Sequence, residues 1–226
     1  MILPALLGLQ LAAGPRPCAH QVDEPRPRVT IDEQAESRRV IRAGVELVGG
    51  SDDLRRLMLL VAERESSLQA GVVHRLPQDV AAAGAAWAQA RSYHEAADNP
   101  HAGDAERWQT YGLFGLNSAY YLRVWDPAAD PRLLCDAAVS VLTYRRAAER
   151  LWRKLSRAAC RKGQVVTWAV LHTAIARGKL CAEPSADFRR RALRRGLDPD
   201  GRVTDADLGR DPPDLAAAAT KIRLGQ

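Results

Sequence analysis

An apolar run with helical spacing constrains the fold of this chain more than any other segment. Gly49-Gly50 forms a helix stop ahead of it, and Ser51-Asp52-Asp53 supplies an N-cap and first-turn acids. From residue 54 to residue 66 the apolar side chains recur at three- and four-residue intervals. The run therefore predicts a mostly buried helix with Glu65 near its C-terminal end.

The composition favours helices for the remainder of the chain. The 226 residues fit one domain, and 46% hydrophobic residues are enough for a core. Aromatic residues make up only 5%, while Ala, Leu and Arg dominate, a mixture that favours helix over sheet. We predict a mainly α fold with further helices at 31–47, 76–97, 132–159, 165–176, 188–197 and 215–224, and loops at 98–104 and 198–213.

The two ends of the chain differ from its middle. Residues 1–14 are apolar, too short to span a bilayer, and similar to the apolar part of a secretory signal, although a basic start is lacking. We predict a candidate signal peptide at 1–14, a linker at 15–38, the main domain at 39–182 and a basic C-terminal extension at 183–226. A secreted or cell-envelope protein follows from this reading; the alternative is a buried N-terminal segment.

The net charge of +6 suits an anionic partner. Nucleic acid, an acidic membrane surface and a cell wall rich in carboxylates or phosphates all qualify, and charge does not choose among them. The run of Arg residues within 189–195 is either a solvated helix face or a contact with such a partner.

The four cysteines indicate one or two disulfides rather than a metal site. None has C-x-x-C spacing, which argues against zinc, and His74, His94 and His101 are irregularly spaced. We predict no metal and no cofactor. Cys160–Cys181 is the first pair to test, Cys18 and Cys135 are less certain partners, and buried free thiols are the alternative.

A second motif follows at residues 111–118, which read YGLFGLNS. Two glycines and a closing Asn-Ser predict a short strand or turn. Together with Glu65-Ser66, this segment resembles the lysozyme-like superfamily, and the soluble (SLT-type) lytic transglycosylases most of all. In that family a helix ends in a catalytic Glu followed by Ser. Tyr111, Gly112, Asn117 and Ser118 are also identical to residues of the Tyr-Gly-Ile-Leu-Gln-Ile-Asn-Ser strand of animal-type lysozymes.

The resemblance covers about residues 51–180 and implies a lysozyme-like helical domain with a small strand or turn region near a glycan cleft. It also has departures. Gly115 stands where both patterns carry Gln, and Thr110 stands where animal lysozymes carry a second catalytic Asp. Only a loose counterpart of the family's Ala-Tyr-Asn motif is present, at 171–174, and the stretch from Glu65 to Tyr111 holds an extra insertion.

The activity that the resemblance implies is cleavage of the β-1,4 bond between N-acetylmuramic acid and N-acetylglucosamine in peptidoglycan. Glu65 would be the general acid and then the general base, since burial raises a carboxyl pKa toward neutrality. Lytic transglycosylases manage with one Glu because the substrate's N-acetyl group and 6-hydroxyl supply the intramolecular steps. Asp98, Asp104 and Glu106 are candidates for a second carboxylate.

The predicted substrate-binding residues come from both motifs and from one later helix. Ser66 either contacts glycan or braces the helix end, while Tyr111 and Asn117 either line the cleft or hold the strand. His172 is either a cleft residue or a hydrogen-bonded core histidine. The complete set is Ser66, Tyr111, Gly112, Gly115, Asn117 and His172, with Trp108 as a candidate to flank sugar rings.

Three other functions remain open at this point. The first is a muramidase that hydrolyses the same bond, and the second is a non-catalytic wall-binding protein with a degenerate lysozyme-like fold. The third is a basic helical protein that binds nucleic acid through residues 189–195. The preferred reading expects peptidoglycan strands as partner, no nucleic acid, no transmembrane span and a monomer.

Overall fold

The computed structural model describes residues 18, 20–21, 29–74, 110–117, 121–122, 129–157, 165–177, 180 and 182–225. Within these ranges the chain is mainly helical, as its composition predicts. The predictions for 1–14, 76–97 and 98–104, together with Asp98, Asp104, Glu106 and Trp108, lie outside them. None of the helices described is long and apolar enough to cross a membrane.

Two N-terminal helices form close to their predicted bounds. Helix α1 spans Ile31–Val48, begins with a capping box between Thr30 and Glu33, and ends at Gly49 with φ 68°. Helix α2 spans Asp52–Ser66, and the Ser51 side chain accepts a hydrogen bond from the Leu54 N–H. The helix predicted at 31–47 is therefore confirmed, and the predicted linker, which overlapped it, is wrong over residues 31–38.

A small sheet of four short strands lies beside α2. Strand β1 (His20–Gln21) pairs in parallel with β2 (Val72–His74), which is antiparallel to β3 (Thr110–Tyr111), which in turn is antiparallel to β4 (Leu116–Asn117). Tyr111 pairs with Leu116, and Thr110 pairs with Asn117. The predicted strand or turn at 111–118 is therefore a tight hairpin over its described residues.

The segment predicted as one helix at 132–159 is divided in two. A 3-10 helix spans Pro131–Cys135, and helix α3 then spans Ala137–Arg157. The Asp136 carboxylate accepts hydrogen bonds from the N–H groups of Ala138 (3.0 Å) and Val139 (3.1 Å). A side chain that caps in this way starts a new helix, so the apolar spacing alone misplaces the boundary.

Four further helices complete the fold. They are α4 (Trp168–Arg177), α5 (Ala186–Arg194), α6 (Asp205–Leu208) and α7 (Leu215–Leu224). The predictions near 165–176, 188–197 and 215–224 are confirmed as elements. The predicted loop at 198–213 is wrong at α6, whose single turn is held by a capping box between Thr204 and Asp207.

Helix α3 lies at the centre and packs against α1, α4, α6 and α7. The C-terminal segment shares this core: Phe188, Leu197, Leu208 and Ile222 are each at most 3% exposed. The segment predicted as a basic extension at 183–226 is thus packed onto the body of the protein, because its apolar residues recur between the charged ones.

Arg145 of α3 joins the C-terminal segment to the core through a buried guanidinium. Its side chain is 2% exposed and pairs with Glu149 at 2.7 Å and with Asp211. It also donates to the carbonyl oxygens of Leu208 (2.9 Å) and Gly209. A buried cation with this many partners is satisfied only when the chain around α6 is in place.

A disulfide between Cys18 and Cys135 connects the segment before β1 to the end of the 3-10 helix. The sequence ranked these two cysteines below Cys160 and Cys181, which lie outside the described residues. A disulfide is therefore present, between a pair that the sequence did not favour.

Candidate active site

Glu65 lies in the last turn of α2, where the chain reverses sharply. Ser67 and Leu68 both have left-handed backbone conformations, with φ of 54° and 69°, and their N–H groups donate to the Ala62 carbonyl oxygen. Leu68 is 1% exposed and anchors the turn in the core. The end of the helix is therefore fixed, and the Glu65 side chain projects from a well-supported position.

Ser66 ties this helix end to the hairpin. Its hydroxyl lies 2.9 Å from the Leu113 carbonyl oxygen and 3.0 Å from the Ala62 carbonyl oxygen. The residue is only 2% exposed. These contacts support the bracing alternative for Ser66, with the hydroxyl holding α2 and the hairpin in register.

The hairpin turn is built on Gly112 and Gly115, which have φ of 75° and 56°. A Cβ at Gly112 would lie 1.9 Å from the Leu134 carbonyl oxygen, so no other residue fits there without moving the backbone. The Gly112 N–H donates to the Val72 carbonyl oxygen at 2.9 Å. Gly112 is thus an internal packing position that sets the location of the turn.

Gly115 lies directly against Glu65. A Cβ at Gly115 would be 3.5 Å from Glu65 Oε2 and 3.6 Å from Glu65 Cβ. It would also be 3.6 Å from the Thr110 hydroxyl oxygen. The two sequence motifs therefore meet, with the backbone of one beside the carboxyl group of the other.

The surroundings of Glu65 favour its protonated form. Partial burial raises the pKa of its carboxyl group above the ordinary value, and the charges of Arg64 and Arg191 offset part of the rise. The Arg64 Nε atom lies 3.5 Å from Glu65 Oε1, and the Glu65 side chain keeps 36% of its surface exposed. A carboxyl group that is both reachable and more easily protonated suits a general acid.

Tyr144 of α3 lies near Glu65 and belongs to neither of the two sequence motifs. Its ring packs against Phe114 of the hairpin turn with centroids 4.5 Å apart. Burial raises the pKa of its hydroxyl, and the nearby Tyr121 and Glu65 raise it further. That buried hydroxyl has no hydrogen-bond partner among the described residues, which a helical apolar pattern does not reveal.

Tyr111, Asn117 and His172 occupy three different settings. Tyr111 is 4% exposed, which supports the strand-holding alternative, whereas Asn117 is half-buried opposite Thr110. His172 of α4 is 4% exposed and stacks on Phe188 of α5, with ring centroids 4.1 Å apart. This packing supports the core alternative for His172.

Within the described ranges, no three His, Cys, Asp or Glu residues are grouped so as to hold a metal ion. Thr110, where the resemblance would expect a second carboxylate, places its hydroxyl oxygen 3.6 Å from the position of a Cβ on Gly115. The described part of the site therefore offers one carboxyl group, flanked by two arginines and a glycine turn.

Comparison with known proteins adds no relative. No protein-family model, no curated protein and no solved structure matches this chain. The lysozyme-like interpretation accordingly rests on the two motifs and on the way the fold joins them.

Proposed function

We propose that this protein is a lytic transglycosylase that cleaves the β-1,4 bond between N-acetylmuramic acid and N-acetylglucosamine in peptidoglycan. Glu65 protonates the leaving glycosidic oxygen and then, as a carboxylate, accepts a proton from the sugar 6-hydroxyl. That hydroxyl closes onto the anomeric carbon and gives a 1,6-anhydro sugar, so the reaction consumes no water.

The observation that carries this proposal is the closeness of the Glu65 side chain to the hairpin at Gly115. Oε2 of the carboxyl group lies 3.5 Å from the position of a Cβ on Gly115. Ser66 and Leu113 are 47 residues apart in sequence, yet the buried hydrogen bond between them holds the two motifs together. The arrangement offers a partly exposed carboxyl group beside a backbone turn.

The electrostatic setting supports the acid role. The raised pKa of Glu65 increases the fraction that carries a proton near neutral pH. The flanking Arg64 and Arg191 then stabilise the carboxylate that proton transfer leaves behind. The Glu65 carboxyl group can thus act first as the acid and then as the base without a large rearrangement of its surroundings.

Replacing Glu65 by Gln tests the proposal. We expect this variant to lose about 100-fold or more of the wild-type rate, because general acid–base catalysis of this kind contributes about 10²–10⁴-fold. The measurement is release of soluble muropeptides from purified peptidoglycan. Glu46→Gln, which makes the same change on an exposed face of α1, is the matched control and keeps its rate.

Mass analysis of the products separates the related activities. Anhydro-muropeptides support the transglycosylase, whereas reducing ends would assign the chain to the muramidases. Equal rates for wild type and the Glu65 variant would remove Glu65 from the mechanism. Glycan binding with no product from wild type would favour the wall-binding alternative.

A further inference from the structure

A groove rich in arginine runs beside Glu65 between α2 and α5. It encloses about 290 Å³ and is lined by Leu60, Glu63, Arg64, Arg191, Arg194 and Arg195. We call these six residues the arginine groove. Four cations against one anion leave a charge of +3 on its lining.

The ion pairs inside and around the groove leave part of this charge available. Glu63 pairs with Arg195 at 2.6 Å and also approaches Arg38 at 3.9 Å, and Arg191 pairs with Asp187 of its own helix. Arg194, in the last turn of α5, is exposed and forms no ion pair with any residue in the described ranges. At least one guanidinium is therefore open to a carboxylate or phosphate from outside.

One residue, Arg64, connects the arginine groove to the candidate catalytic carboxyl group. Arg64 lines the groove and also lies 3.5 Å from Glu65. Any anion that binds there sits close to the bond that Glu65 would cleave. A ligand attached to a sugar next to that bond fits this arrangement better than a charge located elsewhere on a polymer.

We propose that the arginine groove binds the free carboxylates of the peptide stems that muramic acid carries. This inference rests on the proposed function, because it takes peptidoglycan as the substrate. The stem is linked to the muramic acid ring itself and so leaves the glycan beside the cleaved bond. Its carboxylates match the planar fork of a guanidinium, which donates two parallel hydrogen bonds.

The test measures binding rather than cleavage, so it does not depend on turnover. Soluble glycan strands with intact stems and strands stripped of stems by an amidase are titrated against full-length Glu65→Gln protein. Adding Arg194→Gln with Arg195→Gln weakens binding of stem-bearing strands about tenfold, as expected for two partly exposed ion pairs. Binding of stripped strands changes less than twofold.

A matched control removes the same charge elsewhere. Arg153→Gln with Arg157→Gln deletes two exposed cations of α3 and leaves the preference for stem-bearing strands unchanged. Equal weakening by both double variants would mean that overall charge binds the strands and would overturn the inference. So would equal affinity of the starting protein for stripped and stem-bearing strands.

Two further outcomes distinguish the inference from the proposed function. Strand cleavage by wild type without any preference for stems overturns the groove assignment alone, whereas binding to neither kind of strand overturns both. If the groove variant instead loses affinity only for a wall polymer of phosphodiesters, the groove binds that polymer and the stem assignment is wrong.

Discussion

Glu65 combines a favourable chemical setting with a cost to the fold. Because burial raises its pKa, the folded state holds the proton more tightly than the unfolded state does. The stability that this provides is complete below the ordinary carboxyl pKa of 4.5 and is lost as pH rises through the folded-state value. The ionised form of Glu65 is therefore the one that the fold tolerates less well.

The Glu65→Gln variant should reveal this cost as a pH-dependent gain in stability. We expect its melting temperature to exceed that of wild type near pH 8 and the difference to vanish near pH 4, since both side chains are then neutral. Thermal unfolding followed by circular dichroism provides the measurement. Glu46→Gln reports the background of losing an exposed carboxyl group; a difference that grows toward acid pH would contradict the argument.

Individual residues show which features of the site could be predicted from the sequence and which could not. Glu65 was identifiable as a candidate catalytic residue because a helix-end carboxyl followed by Ser lay ahead of a second recognisable motif. The unpartnered hydroxyl of Tyr144 was not, because apolar spacing places its ring in the core and says nothing about its oxygen. The predicted roles of Ser66 and His172 were open for the same reason, since burial and contacts depend on neighbours distant in sequence.

The hairpin is the element whose geometry depends most on two glycines. Gly112 needs a left-handed backbone and also has the Leu134 carbonyl oxygen where a Cβ would lie, whereas Gly115 needs only the backbone conformation. Both positions share the left-handed backbone conformation, and they differ in whether a Cβ atom would clash with a neighbouring backbone atom.

Alanine substitution should separate these two requirements. We expect Gly115→Ala to cost about 1–2 kcal/mol of unfolding free energy, the penalty for a left-handed alanine. Gly112→Ala should cost more than about 4 kcal/mol or prevent folding, because a backbone atom must also move. Urea unfolding measures both, and similar losses would show that the contact with Leu134 relaxes easily.

Among the helices, bounds that depend on capping residues and glycine stops could be predicted from the sequence. Ser51 and the Gly49-Gly50 stop placed the end of α1 and the start of α2 almost to the residue, since caps act within one helical turn. Helix α6 was missed because its four residues are too few for an apolar period, and the split before α3 was missed because Asp136 caps inside an otherwise continuous pattern.

At the scale of the whole molecule, the Cys18–Cys135 bond closes a loop of 117 residues. The sequence could not select this pair, because pairing depends on which cysteines the tertiary fold brings together. Disulfides form and persist mainly in oxidising compartments, and export of this protein stays a prediction.

Removing the bond should weaken the entire fold. We expect Cys18→Ala with Cys135→Ala to lower the unfolding free energy by up to about 4–5 kcal/mol, the chain-entropy limit for so long a loop. Chemical denaturation gives the value, and peptide mapping without reductant identifies the linkage. Finding Cys18 joined to Cys160 or Cys181 instead would contradict the pairing.

The buried guanidinium of Arg145 has a consequence for synthesis in the cell. Its partners at Leu208, Gly209 and Asp211 are translated more than 60 residues after it. A polypeptide cut short before α6 would keep the Glu149 ion pair but would lack the Asp211 carboxylate and both carbonyl acceptors of this guanidinium. Only a chain that has been made through residue 211 therefore supplies all the partners that this buried guanidinium has in the fold.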